Sequence, residues 1–238
     1  MKYKVILFDV DDTLLDFSKS EKSALHNAFV QFGMPTGYDD YIVSYKEISN
    51  GLWGELERGS ITLAELGVER FRKLFSAHHL EIDAHIFGGA YLEYLGKEAH
   101  VVPGVLELCN TITDCRLAII TNGFTEVQKS RIEGSPLRNT FEHIIISEEV
   151  GYQKPASEIF DYAFEKLQIT DKSNVLMVGD SLTSDIKGGN IYGIDTCWYN
   201  STGKENNTNV KPTYEIHDLL DIIQILEMNE EKEEVVSF

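Results

Sequence analysis

The run Tyr3 to Phe8 is almost wholly apolar and passes, with no turn residue between, into Asp9-Val10-Asp11-Asp12. So short and continuous an apolar run is a strand buried on both faces, since a one-faced strand alternates and a buried helix is longer. Similar runs recur at Leu117 to Thr121, Ile144 to Ser147, Val175 to Val178 and Thr196 to Tyr199. Helical patterns separate them. Val105, Leu106, Cys109 and Ile112 follow Pro103-Gly104; Phe160, Ala163, Phe164 and Leu167 follow Ser157, the expected N-cap; and Leu219, Leu220, Ile223 and Leu226 come near the end. Strands alternating with helices predict an α/β fold, a doubly wound, Rossmann-like parallel sheet.

One stretch breaks the alternation. From Ser18 to about Tyr94 only helical periodicity is present: Leu25, Ala28, Phe29 and Phe32 ending at Gly33, then Tyr41, Tyr45, Ile48, Leu52 and Leu56. A third helix starts at Thr62, where Glu65 three residues on makes a capping box, and a fourth carries Ile86, Ala90, Tyr91 and Tyr94. The expected division is an α/β core over residues 1–15 and 97–238, with a helical cap inserted over 16–96. The acidic stretch from Glu227 to Phe238 reads as a solvated tail.

A chain of 238 residues buries about 70% of its unfolded surface and needs no staple. Its three cysteines, Cys109, Cys115 and Cys197, match no zinc or redox spacing and read as buried thiols. His78, His79 and His85 lack acidic or thiol partners at ligand spacing and read as surface or packing residues. With 21 basic against 39 acidic residues, the net charge of −18 argues against a nucleic-acid or membrane-surface partner. There is no secretory or membrane-spanning apolar segment, so a cytoplasmic protein, monomer or dimer, is expected.

The chemistry sits at the strand ends. In open α/β sheets the ligand crevice lies outside the carboxyl ends of the strands, and Asp9 is placed there. Acids at the edge of a core are costly unless a cation or hydrogen bonds compensate. Leu117 to Ile120 ends in Thr121-Asn122-Gly123; Ile144 to Ser147 leads to Lys154-Pro155; Val175 to Val178 ends in Gly179-Asp180, with Asp185 five residues later. Each alone is ordinary turn chemistry. Four strand ends bringing acids, a hydroxyl, a lysine and more acids to one crevice are not.

The chain resembles the haloacid dehalogenase superfamily of phosphohydrolases. Asp9-Val10-Asp11-Asp12-Thr13 matches its Asp-x-Asp-x-Thr motif, Thr121 its second, Lys154 before Pro155 its third, and Gly179-Asp180 with Asp185 its fourth. The helical block is similar to the cap this superfamily inserts between its first two motifs. The resemblance implies a magnesium-dependent phosphomonoesterase. Asp9 would be the nucleophile that forms an aspartyl-phosphate and Asp11 the acid/base. Mg²⁺ would sit on the Asp9 and Asp180 carboxylates and the Asp11 carbonyl, with Asp185 in support. Thr121, Asn122 and Lys154 would hold the phosphoryl oxygens.

Asp11 tells against a 2-haloacid dehalogenase, whose halide leaving group needs no acid; a phosphosugar mutase needs the same acid. A phospho-receiver domain, the non-hydrolytic alternative, carries its acceptor aspartate on a middle strand, whereas here that strand end is Thr121-Asn122. For the substrate, Asn50 to Gly59 with Trp53, then Ile61-Thr62 and Arg70-Phe71, resemble the cap of the pyrimidine 5′-nucleotidases within this superfamily. That implies a nucleoside monophosphate as the small phosphorylated substrate, with Trp53 and Arg70 as candidate contacts; sugar phosphates or other small phosphorylated metabolites are the alternative, since such caps share the Gly-x-Ile-Thr pattern.

Overall fold

The computed structural model describes residues 2–227. Its strands are β1 (Val5–Phe8), β2 (Arg116–Thr121), β3 (His143–Ile146), β4 (Val175–Gly179), β5 (Asp195–Tyr199) and β6 (Tyr214–Ile216). The α-helices are α1 (Phe17–Gln31), α2 (Gly37–Glu57), α3 (Leu63–Ala77), α4 (Ala84–Leu95), α5 (Val105–Thr111), α6 (Thr125–Glu133), α7 (Ser147–Val150), α8 (Ser157–Leu167), α9 (Lys187–Tyr192) and α10 (Asp221–Glu227). The chain forms two compact units, one of Met1–Asp16, Val101–Asn122 and Ser135–Phe238, the other of Phe17–His100 and Gly123–Gly134.

The first unit is built on a six-stranded sheet in the order β3-β2-β1-β4-β5-β6, parallel throughout. Val5 and Leu7 of β1 share one face with Ala118, Ile120, Val175 and Met177, and α8 covers that face with Ile159, Phe160, Ala163, Phe164 and Leu167. The alternate residues Ile6, Phe8, Ile119, Leu176 and Val178 point to the other face and are equally buried. Burial on both sides is why these strands read as unbroken apolar runs. The strand order reverses between β1 and β4, making their carboxyl ends the switch point of the sheet.

Two local readings change. Ser157 is the first residue of α8 rather than its cap; Ala156 takes the cap position with no side-chain bond, so the helix draws on its apolar face. β6 escaped the pattern because it has three residues, of which only Ile216 is buried.

The second unit is wholly helical. Thr62 caps α3 as expected: its Oγ1 accepts from Glu65 N at 3.2 Å and Glu65 Oε2 accepts from Thr62 N at 2.8 Å. Aromatic and aliphatic side chains of α1 to α4, with Val127 of α6, make one core around Phe29, Tyr45, Phe71, Phe75, Phe87 and Tyr91. The inclusion of α6 was not legible in the sequence, where residues 123–134 read as part of the α/β core. No helix among the described residues is long and apolar enough to cross a membrane. Cys115 and Cys197 are buried free thiols, Cys109 is half-buried, and desolvation pushes Cys109 up to about 11 and Cys197 up to about 12. His78 packs on Tyr41 and its Nε2 lies 2.9 Å from Ser44 Oγ. The expected tail, apart from Glu227, lies outside the described residues.

Candidate active site

Asp9 directly follows β1, and its amide donates to Val178 O of β4 at 2.9 Å, so the backbone ladder itself carries Asp9 to the switch point. The chain then folds back sharply. The Val10 carbonyl accepts from Leu14 N at 2.8 Å and Leu15 N at 2.9 Å, and Asp12 N donates to Leu15 O at 2.8 Å. Asp12 takes a left-handed conformation (φ 56°) in this turn, one that aspartate tolerates better than most residues. Asp11 stands beside it, half-buried.

Lys154 comes from the segment between α7 and α8 and is 1% exposed. All three ammonium protons are committed: to Asp9 Oδ1 at 2.7 Å, Asp185 Oδ1 at 2.6 Å and Ile120 O at 2.7 Å. Its pKa is nonetheless raised, because desolvation, which favours the neutral amine, is outweighed by the charges of Asp185 and Asp9. The lysine is therefore a fixed cation between two buried carboxylates.

Asn122 was expected to reach a phosphoryl oxygen through its side chain. In the structure both ends of that amide are taken by the Lys154 backbone, Nδ2 donating to Lys154 O at 2.9 Å and Oδ1 accepting from Lys154 N at 2.8 Å. Asn122 thus positions the lysine, and Thr121 is buried at the end of β2.

The fourth strand end supplies the remaining acids. Gly179 closes β4, and a Cβ there would lie 2.2 Å from Asp185 Oδ2, so only glycine leaves room for that carboxylate. Asp185 lies in a π-helical turn, Leu182–Ile186, of the kind that recurs at functional sites. Its Oδ2 accepts from Ser181 N at 3.0 Å. Trp198 of β5, a residue the sequence did not single out, donates from Nε1 to Asp180 O at 2.8 Å and fixes the backbone that carries the Asp180 carboxylate.

Carboxylate oxygens of Asp9, Asp180 and Asp185 all lie within 4.8 Å of one another. Burial raises the Asp9 pKa to about 7, with Asp185 and Asp11 adding to the rise and Lys154 opposing it. Asp180 is pushed well above the usual carboxylate range by burial and by Asp185, Asp9 and Asp12. Three clustered acids, two of them bound to one ammonium, leave an excess of negative charge at a desolvated point. That donor set, all hard oxygen, fits a divalent cation such as Mg²⁺.

Arg70 and Trp53 belong to the helical unit. Trp53 is half-buried against Leu52, Leu56 and Leu66. Arg70 is 2% exposed, lying among Phe71, Tyr91 and Phe124.

A family model for haloacid dehalogenase-like hydrolases fits residues 3–193. The chain belongs to the haloacid dehalogenase-like hydrolases. Within this family of hydrolases it is 37% identical to the pyrimidine 5′-nucleotidase PynA of Streptococcus pneumoniae, over 96% of this chain and 97% of PynA. It is 35% identical to the pyrimidine 5′-nucleotidase YjjG of Escherichia coli, over 95% of this chain and 99% of YjjG. The solved structure of the HAD-hydrolase YfnB of Bacillus subtilis, bound to magnesium, superposes with a TM-score of 0.89 at 37% identity, covering 95% of this chain and 99% of YfnB. The parallel six-stranded core is thus that of the haloacid dehalogenase-like hydrolases.

Proposed function

We propose that this hydrolase is a magnesium-dependent, cytoplasmic phosphomonoesterase that works through an aspartyl-phosphate on Asp9 and takes pyrimidine nucleoside 5′-monophosphates. The observation that carries the reading is the cluster of Asp9, Asp180 and Asp185 at the switch point of the sheet, with Lys154 paired to Asp9 and Asp185. The relatives named pyrimidine 5′-nucleotidases support the substrate class.

Lys154 holds Asp9 Oδ1, which fixes the carboxylate and leaves Oδ2 to attack phosphorus in line with the leaving oxygen. The ester P–O bond breaks as the Asp9–phosphorus bond forms, and Asp11 gives its proton to the departing alkoxide. Asp11 then takes a proton from water as the water oxygen attacks the phosphorus, releasing inorganic phosphate and restoring Asp9. Thr121 offers its hydroxyl to the phosphoryl oxygens, while Asn122 keeps Lys154 in register. Mg²⁺, held by Asp9, Asp180 and the Asp11 carbonyl with Asp185 in support, would supply the charge neutralisation that lets a carboxylate approach a phosphate.

The test is a screen of phosphorylated metabolites with Mg²⁺ present. Pyrimidine monophosphates such as dUMP, dTMP or UMP are expected ahead of hexose and triose phosphates in kcat/KM. A ranking led by sugar phosphates overturns the nucleotidase reading and leaves the phosphatase chemistry standing.

A further inference from the structure

The ammonium fixed inside the acid cluster is fully used. Lys154 is held by Asp9, Asp185 and the Ile120 carbonyl, and Asp180 takes no part in that pairing. A phosphate monoester brings nearly two further negative charges to the same place. A cation outside the Lys154 pairing would draw such an anion in, and the far side of the sheet holds one.

The fold fixes a second lysine by the device it uses on the first. Asn122, just past β2, spans the backbone of Lys154 with both ends of its amide. Asn200, just past β5, does the same to Lys204: Nδ2 donates to Lys204 O at 2.9 Å, and Oδ1 accepts from Lys204 N at 2.8 Å. Asn200 is 3% exposed and anchored on β6. Its backbone N donates to Ile216 O at 2.8 Å, its Nδ2 also donates to Glu215 Oε1 at 2.8 Å, and its carbonyl lies 2.6 Å from His217 Nδ1. Gly203, at φ 66°, turns the chain back so that its own N–H reaches Asn200 O at 3.1 Å and the next residue meets the amide. A buried side chain is thus committed to holding the backbone of an exposed lysine.

Strand register places this clamp at the site. Gly179 of β4 pairs with Trp198 of β5, and Trp198 Nε1 donates to the Asp180 carbonyl at 2.8 Å. Asn200, two residues beyond Trp198, therefore leaves the sheet at the end where Asp180 stands. The charge of Lys204 is felt at Asp180, where it opposes the rise that burial and the neighbouring acids impose. Both backbone groups of Lys204 are taken, while its ammonium has no hydrogen bond or ion pair among the described residues. The two lysines differ in access. Lys154, 1% exposed, is locked to its carboxylates; Lys204 is a solvated point charge on a flexible stem, able to meet an anion arriving from bulk water.

We propose that Lys204 is a substrate-binding residue of this hydrolase, its ammonium pairing with phosphoryl oxygens of the incoming monoester on the Asp180 side of the sheet, and that Asn200 is the positioning residue that holds it there. The proposal rests on the phosphomonoesterase reading and adds a cation to it. Because the contact is with the phosphoryl group and not with the alcohol, it applies to nucleotides and sugar phosphates alike.

Steady-state kinetics on p-nitrophenyl phosphate at saturating Mg²⁺ test it. Lys204→Met should lower kcat/KM by about 5- to 20-fold, more through KM than through kcat, a loss between that of an exposed ion pair and that of a charge-assisted hydrogen bond. The inhibition constant of inorganic phosphate should rise by a similar factor. Added KCl should depress kcat/KM of the variant less steeply than that of the wild type. Lys204→Arg, which keeps the charge, should recover most of the loss. Lys211→Met is the control: Lys211 is exposed just before β6, at the opposite end of the sheet, and its loss should change kcat/KM by less than about twofold. Asn200→Ala should lower kcat/KM with Lys204 still present, and in the double variant the two losses should not add; losses that add overturn the positioning role of Asn200. A Lys204→Met enzyme that matches the wild type in both kcat/KM and phosphate inhibition overturns the proposal. So does a loss that more Mg²⁺ abolishes, since Lys204 would then act on the metal and not on the phosphate. If the wild type shows no Mg²⁺-dependent hydrolysis of any phosphomonoester, the phosphomonoesterase reading itself has failed and takes the proposal with it.

Discussion

Gly179→Ala is the smallest change that should disable the site without touching any of its charged groups. The new methyl carbon would sit 2.2 Å from Asp185 Oδ2 and 2.3 Å from its Cγ, against ordinary carbon contacts of about 3.5–4.0 Å. Asp185 has nowhere to go. It is fully buried, with Oδ1 held by Lys154 Nζ at 2.6 Å and Oδ2 by Ser181 N at 3.0 Å. Overpacking of this kind costs about 1–3 kcal/mol, and giving up a hydrogen bond to a buried charge costs about 1.5–3 kcal/mol more. The reduced freedom of the unfolded chain returns about 0.4–1 kcal/mol. A net loss of about 2–5 kcal/mol is expected. Urea unfolding of the metal-free protein, followed by Trp198 fluorescence in a Trp53→Phe background, reads this in the α/β unit. Mg²⁺ affinity should weaken in the same variant, because Asp185 helps set the positions of Lys154 and Asp9. Gly51→Ala is the control: nothing lies within 4 Å of that Cβ on α2, so the helix should gain about 0.5–1 kcal/mol. A loss under about 1 kcal/mol with unchanged Mg²⁺ affinity would refute the claim that Asp185 is locked between Gly179 and Lys154.

Three other outcomes are expected. Asp9→Asn should fold normally and lose turnover, since an amide cannot form the acyl phosphate; retention of more than a few per cent of the phosphatase activity would remove Asp9 as the nucleophile. Lys154→Met should destabilise the metal-free protein by about 3–5 kcal/mol, because Asp9 and Asp185 stay buried without their cation, while Arg116→Met, which breaks the exposed pair with Glu142, should cost about 0–1 kcal/mol; equal losses in urea would contradict the buried-pair account. The folded Asp9 pKa of about 7 lies above its unfolded value near 3.8, so its contribution to stability is fully present below that lower value and is lost as pH rises through 7. If Asp9 ligates Mg²⁺ as proposed, binding is expected to displace a proton near pH 6.5 and to tighten as pH rises to 8. Calorimetric titration in buffers of different ionisation enthalpy measures that proton, and its absence at pH 6.5 would show that Asp9 is already ionised without metal.

What the amino-acid sequence determined by itself is everything written in contiguous residues. The apolar runs specify strands buried on both faces, the Thr62–Glu65 box starts α3, and Asp9, Thr121, Lys154 and Asp180 each stand at or after a strand end because the runs stop there. Parallel α/β topology then leaves little choice about which end of the sheet they share. Tertiary structure decided what each of those groups touches. Lys154 meets Asp9 across 145 residues of chain, and only strand register sets whether its ammonium ends on that carboxylate, on Asp185 or in solvent. The same register turned the Asn122 amide onto the Lys154 backbone and gave Trp198 to the Asp180 carbonyl. Packing drew residues 123–134 into the helical unit, where Arg70 lies against the rings of Phe71, Tyr91 and Phe124. Periodicity marks which face of an element is apolar, whereas a hydrogen bond needs two distant atoms placed to within a few tenths of an ångström, and only the assembled fold supplies that second atom.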